Sequence, residues 1–198
     1  MSADALQFDP AQHRYTLGGE HLPSVTQVLD DVLDLYRGVD RAILEAAQVR
    51  GTHVHLACEL DDRGVLDESA LAEEYRPYLK AWRRFRFDSG FEIQAIEERV
   101  YHAALGYAGT LDRRGLYRGR TTILDIKSNA APASVGAQTA AYDRARASMT
   151  GSHKPALRLC VELRADGMFR MHRLTDSGDW PLFLSCLNVH KWKKHHAQ

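Results

Sequence analysis

The chain has 198 residues, 44% of them hydrophobic, which allows one domain with a sizeable core. Its 26 basic and 26 acidic side chains cancel, so a global electrostatic attraction to nucleic acid is excluded and only local basic clusters remain. No apolar run reaches the roughly eighteen residues of a membrane-spanning helix, and Cys58, Cys160 and Cys186 stand singly, excluding a CxxC pair, a zinc spacing or a disulfide framework.

The opening MSADALQFDPAQ lacks the basic-then-apolar layout of a signal peptide, so a cytoplasmic protein without a membrane partner is expected. Residues 8–24, FDPAQHRYTLGGEHLPS, read as a short hairpin: Tyr15 and Leu17 alternate, and Gly18-Gly19 supply the turn. Ser24 and Gln27 then fit a capping box, with Val25, Val28, Leu29 and Val32 at helical spacing. A second helix is expected from about Asp40 to Leu60, kinked or broken at Gly51. After the polar connector DRGVLDE, the residues Leu71, Tyr75, Tyr78, Trp82 and Phe85 recur at intervals of four and three, the signature of an amphipathic helix. Pro77 divides this stretch in two, the longer piece running to about Phe87.

From Phe91 the texture becomes β. FEIQAIEERVYHA, YAGTLDRRGLY and TTILDIKS are three strand candidates. ASVGAQTAAYDRARAS reads as a helix with a narrow alanine face (Ala137, Ala140, Ala141, Ala145). ALRLCVELR and MFRMHRL form a hairpin around Ala165-Asp166-Gly167, and DWPLFLSCLNVHKWKKHH a final helix with Pro181 in its first turn. Helices, an antiparallel set with one inserted helix, and a closing helix make a mixed α/β protein. One compact domain is expected in three parts: hairpin and helices (1–90), sheet and helix (91–150), closing hairpin and helix (151–198).

The chemistry concentrates in GYAGTLDRRGLYRGRTTILDIKS, residues 106–128. With Arg118-Gly119 as the turn, Tyr117 pairs with Arg120, and extending that register sets Asp112 opposite Asp125. Period-two alternation then places Lys127 on the same face. Like charges directly opposed cost roughly 0.2–1 kcal/mol, and more when dry. A divalent cation offsets that repulsion: carboxylate oxygens of Asp112 and Asp125 and the carbonyl of Ile126 suit Mg²⁺ or Mn²⁺, one ion or two. Lys127 beside it can orient or deprotonate water and stabilise a pentavalent phosphate. The bland counterpart is a surface hairpin in which Lys127 merely pairs with an aspartate. Against that reading, ILDI is apolar around Asp125, and Ala108 and Gly109 leave room for a ligand backbone.

These residues resemble the PD-(D/E)XK nuclease superfamily, in particular its RecB-like and phage-type exonuclease branch. The similarity is carried by GYAGTLD and ILDIKS, by RGTHVH and AIEERVY upstream, by GAQTAAY downstream, and by the opening YTLGGEHLPSVTQVL. The resemblance implies a central mixed β-sheet flanked by helices, as in restriction endonucleases, and a Mg²⁺- or Mn²⁺-dependent deoxyribonuclease. It makes Asp112, Asp125, Lys127 and Glu97 catalytic, adds His55 to Asp112, Asp125 and Ile126 as metal ligands, and assigns Gln138 and Tyr142 to the substrate. Glu97 and Glu98 point to opposite faces of a strand, so only one can face Asp112, and the resemblance favours Glu97. Glu59, at i+4 from His55, could orient the imidazole. Tyr142 could equally cap a core. Of the two arginines after Asp112, Arg114 shares the expected carboxylate face and is the one set against a flanking phosphate. HKWKKHH at the end of the last helix is sufficiently explained by the helix dipole.

The three isolated cysteines cannot supply the four that some relatives use for an iron–sulfur cluster, so none is expected, and no GxxxxGK[ST] marks a helicase. DNA is the expected partner, with a single-strand annealing protein or a helicase beside it, in recombination, repair or phage replication. Two other readings stay open: a non-catalytic nucleic-acid-binding module of the same fold, and a restriction-type or structure-specific endonuclease.

Overall fold

The computed structural model describes residues 5–152 and 154–196, so the signal-peptide reading of residues 1–4 lies outside the described residues. Three short strands open the chain: β1 (Gln7–Asp9), β2 (Arg14–Leu17) and β3 (Glu20–Leu22). They form an antiparallel meander of their own, where the sequence pattern indicated only the β2–β3 hairpin. Tyr15, Leu22 and the partly buried Phe8 pack it onto Ala108 of the main sheet, and the Tyr15 hydroxyl lies 2.7 Å from Thr110 Oγ1.

Helix α1 (Val25–Leu33) begins in the expected capping box. Ser24 Oγ accepts from the Gln27 amide while Gln27 Oε1 accepts from the Ser24 amide. Helix α2 (Arg41–Asp62) is capped by Asp40 and runs unbroken through Gly51, against the kink expected there. One glycine costs a helix about 1 kcal/mol, which twenty-two residues packed on a sheet absorb. Helix α3 (Arg76–Ser89) starts with Pro77 in its first turn and ends at Gly90, whose φ is +62°.

The main sheet contains β4 (Glu92–His102), β5 (Tyr107–Tyr117), β6 (Arg120–Lys127), β7 (Leu157–Leu163) and β8 (Phe169–Arg173), hydrogen-bonded in that order. The β5–β6 turn is Arg118-Gly119, both at positive φ, and Tyr117 pairs with Arg120 as the sequence pattern indicated. Helix α4 (Val135–Thr150) carries the chain across the sheet, so β7 lies parallel to β6 and the set is mixed rather than antiparallel throughout. Helix α5 (Asp179–His196) closes the described chain.

Two cores result, one on each face of the sheet. Val28, Leu29, Leu111, Ile123, Ala141 and Phe183 fill the face under α1, α4 and α5. Val54, Trp82, Phe85, Leu124, Ile126 and Val161 fill the face under α2 and α3. The three cysteines are free and buried. No described helix is long and apolar enough to cross a membrane.

Candidate metal centre

The candidate site forms where β5 and β6 part. Their described ladder ends at Arg113↔Leu124, one pair short of Asp112 and Asp125. Beyond it the Asp112 side chain substitutes for a backbone partner: Oδ2 accepts the Ile126 amide at 2.6 Å. On the other flank, the β4–β5 ladder runs Ile96↔Arg113 and then Glu98↔Leu111, which leaves Glu97 facing Asp112 at a gap between them. Glu97 has a φ of +50°. A non-glycine residue held in that region costs about 1–3 kcal/mol, and such strain collects at functional sites.

Alternation also fails at this level. Leu111 packs under α4, whereas Arg113, two residues on, reaches Asp62 of α2 and Trp82 of α3 across the sheet. Residues two apart on a regular strand share a face. The twist at Asp112 therefore undoes the face assignment that put Arg114 beside the carboxylates. Arg114 instead donates to Glu98 at 2.6 Å and Gln94 at 3.0 Å.

Helix α2 brings the third group. His55 Nε2 lies 2.8 Å from the Ile126 carbonyl oxygen. A carbonyl only accepts, so Nε2 carries a proton, and in the neutral imidazole the lone pair is then on Nδ1. That Nδ1 is 3.7 Å from Asp112 Oδ2. Ligand atoms of His55, Glu97 and Asp112 all lie within 4.8 Å of one another, the one such cluster among the described residues. Burial raises the Glu97 carboxyl to about 7, and the charge of Asp112 adds to the shift while Arg113 opposes it. Two carboxylates facing each other beside an imidazole make a donor set that could hold a divalent cation.

Asp125 lies outside that trio. It is almost fully buried and held by Lys127 Nζ, 2.8 Å from Oδ2, and by Gln138 Nε2, 3.0 Å from Oδ1. Burial raises its carboxyl to about 6, with Lys127 opposing the shift. Lys127 is pulled the other way: burial opposes its charge, but Asp125 and Asp112 together hold the ammonium above the ordinary lysine range. Its amine is thus a proton donor and a positive charge in the absence of a cation, not a base. Ile126 serves both sides of the site, its amide to Asp112 and its carbonyl to His55.

Gln138 also donates to the Tyr142 hydroxyl at 3.2 Å. The Tyr142 ring is in the core, so no base can stack on it. Gly109 is a glycine because of this ring: a Cβ there would sit 2.5 Å from Tyr142 Cε1. The space read as room for a ligand backbone is filled by the protein itself. Glu59 ties to Arg63, 2.9 Å away, rather than to His55.

Sequence reasoning passed over Arg113. Fully buried against Trp82, it donates to Asp62 at 2.7 Å, to Glu97 at 3.2 Å and to the Asp112 carbonyl at 2.6 Å. Trp82 Nε1 donates to the same Asp62 at 2.9 Å. Strand alternation assigned Arg113 to the face away from the carboxylates, and nothing in the local pattern marks the twist that brings its head back. Arg50 of α2 was also missed; it bonds Asn129 in the loop after β6, and its Nε is buried without a hydrogen-bond partner among the described residues.

No protein-family model matches the chain, and no curated protein matches it.

Proposed function

We propose that this protein is a Mg²⁺- or Mn²⁺-dependent deoxyribonuclease of the PD-(D/E)XK type, an exonuclease that hydrolyses phosphodiester bonds. The observation that carries the reading is the cluster of His55, Glu97 and Asp112 ligand atoms with the Lys127 ammonium on the adjoining strand. The residues fit a hard divalent ion: burial and, after it, the charge of Asp112 favour protonation of Glu97, and a cation between the two carboxylates offsets the same repulsion. His55 Nδ1, Asp112 and Glu97 would hold it. When bound there, such an ion supplies Lewis acidity to a phosphoryl oxygen and lowers the pKa of water.

The chain's own groups do the rest. Arg113 fixes the Glu97 carboxylate and the Asp112 backbone from beneath. Asp125, itself held by Gln138, keeps the Lys127 ammonium in place, where it meets negative charge building on the phosphate oxygens. The exonuclease reading is supported by the resemblance to RecB-like enzymes, and it places the protein with DNA in the cytoplasm of a prokaryotic or phage-infected cell. A single-strand annealing protein or a helicase is the expected companion.

The test is a digestion time course on 5′- and 3′-labelled linear DNA beside a closed circle, with and without each metal. Linear DNA should shorten from an end only with metal, while the circle survives. Asp112→Asn, which keeps an acceptor for the Ile126 amide, should lower the rate at least a hundredfold, the scale set by removing one electrostatic group from such a site. If both metals leave linear and circular DNA intact, the enzyme reading is wrong.

A further inference from the structure

A cavity of about 250 Å³ opens against Lys127 and Gln138, the two side chains that hold Asp125. Helix α1 and the loop after it build the opposite wall. Leu29 and Leu35 are its apolar part, Asp30 its carboxylate, and Tyr36 a half-exposed ring. Asn129, held by Arg50, lines it on the side of the loop after β6. The catalytic reading uses none of Asp30, Tyr36 or Asn129.

Size and polarity restrict what fits. The volume falls below the roughly 300–1,000 Å³ of ordinary ligand clefts, so it takes one ring system and not a base pair. A phosphate inside would meet the Asp30 carboxylate. A flat, uncharged, partly apolar body finds an aromatic partner in Tyr36, apolar contact in Leu29 and Leu35, and polar partners in Asn129 and Asp30. Lys127, the one ammonium on the cavity wall among the described residues, stands at the metal-centre end, where a phosphate joined to that body would lie. A nucleobase on its sugar–phosphate has this layout, and it has to be unpaired to enter.

We propose that the cavity seats one unpaired nucleobase of the strand being cut, next to the phosphate at the metal centre, which makes single-stranded DNA the substrate. This inference rests on the nuclease reading. Stacking on the Tyr36 ring is sequence-tolerant, because every base offers a π face.

The experiment measures binding in the absence of metal by fluorescence anisotropy, using a short labelled single strand and a blunt duplex of the same sequence. The wild-type protein should favour the single strand. Tyr36→Ala, with an unchanged melting temperature, should weaken single-strand binding roughly tenfold or more, and Tyr36→Phe should retain it. An abasic residue scanned along the strand should cost the wild type a similar factor at one position and cost Tyr36→Ala nothing further there. Equal affinity for strand and duplex, an unaffected Tyr36→Ala variant or a flat abasic scan each overturns the seat. If linear DNA is still digested with Mn²⁺ in that case, the nuclease reading survives; absence of both binding and cleavage overturns both.

Discussion

Arg113 has no exposed surface, yet its guanidinium joins Asp62, Glu97 and the Asp112 carbonyl. Removing one partner of such a buried pair leaves a charge without compensation, at a cost of about 3–5 kcal/mol. Arg113→Met should therefore lose stability on that scale in urea unfolding, and the Arg113→Met/Asp62→Leu double variant should recover much of it; additive losses would contradict the pairing. Glu97 makes a second prediction at the same scale. Its carboxyl binds a proton more tightly folded than unfolded, so the stability this contributes is present below the unfolded value near 4.5 and is lost as pH rises through about 7. Asp125, raised to about 6, acts in the same sense. Glu162, held low by its Ala131 and His172 partners, titrates below this window. The metal-free protein should melt at falling temperature from pH 5 to pH 8, and Glu97→Gln should flatten that slope. A melting temperature that rises over the same range would contradict the placement of Glu97. At this scale, Asp112, Asp125, Lys127 and His55 were legible because a short turn and a motif determine their neighbourhood. That Glu97 faces Asp112 was implied by the resemblance; that Asp125 stands outside the cluster of His55, Glu97 and Asp112 was not legible. It depends on a positive φ and a break in alternation, which no local residue pattern announces.

Among the elements, the glycines separate what propensity governs from what packing governs. A Cβ at Gly51 would meet only Ser128 Oγ at 3.8 Å, an ordinary contact, in the middle of α2. Gly51→Ala should stabilise the protein by about 1 kcal/mol through helix propensity alone. Gly115 is the opposite case. A Cβ there would lie 2.1 Å from the Glu92 carbonyl oxygen, so Gly115→Ala has to push β4 and β5 apart. It should destabilise by about 2 kcal/mol or more, and a melting comparison of the two variants checks both signs. Most elements were legible from periodicity, caps and turn residues, as with Ser24 and Gln27 at α1 or Arg118-Gly119 between β5 and β6. The parallel β6–β7 pairing was not, because strand order is decided by where α4 delivers the chain and not by any pattern inside β7.

Across the whole molecule, the two faces of the sheet supply the site from opposite sides. Helix α2, in the core with Trp82 and Leu124, brings His55 and buries Asp62 under Arg113. Helix α4, in the other core with Leu111 and Phe183, brings Gln138 to Asp125. The proposed cation binding therefore depends on the assembled sheet, and calorimetric titration of Mn²⁺ into the metal-free protein decides it. Saturable binding is expected, abolished by Asp112→Asn and by Glu97→Gln and left intact by Arg114→Ala. A wild-type protein that takes up no Mn²⁺, or binds it unchanged after both carboxylate substitutions, would contradict it.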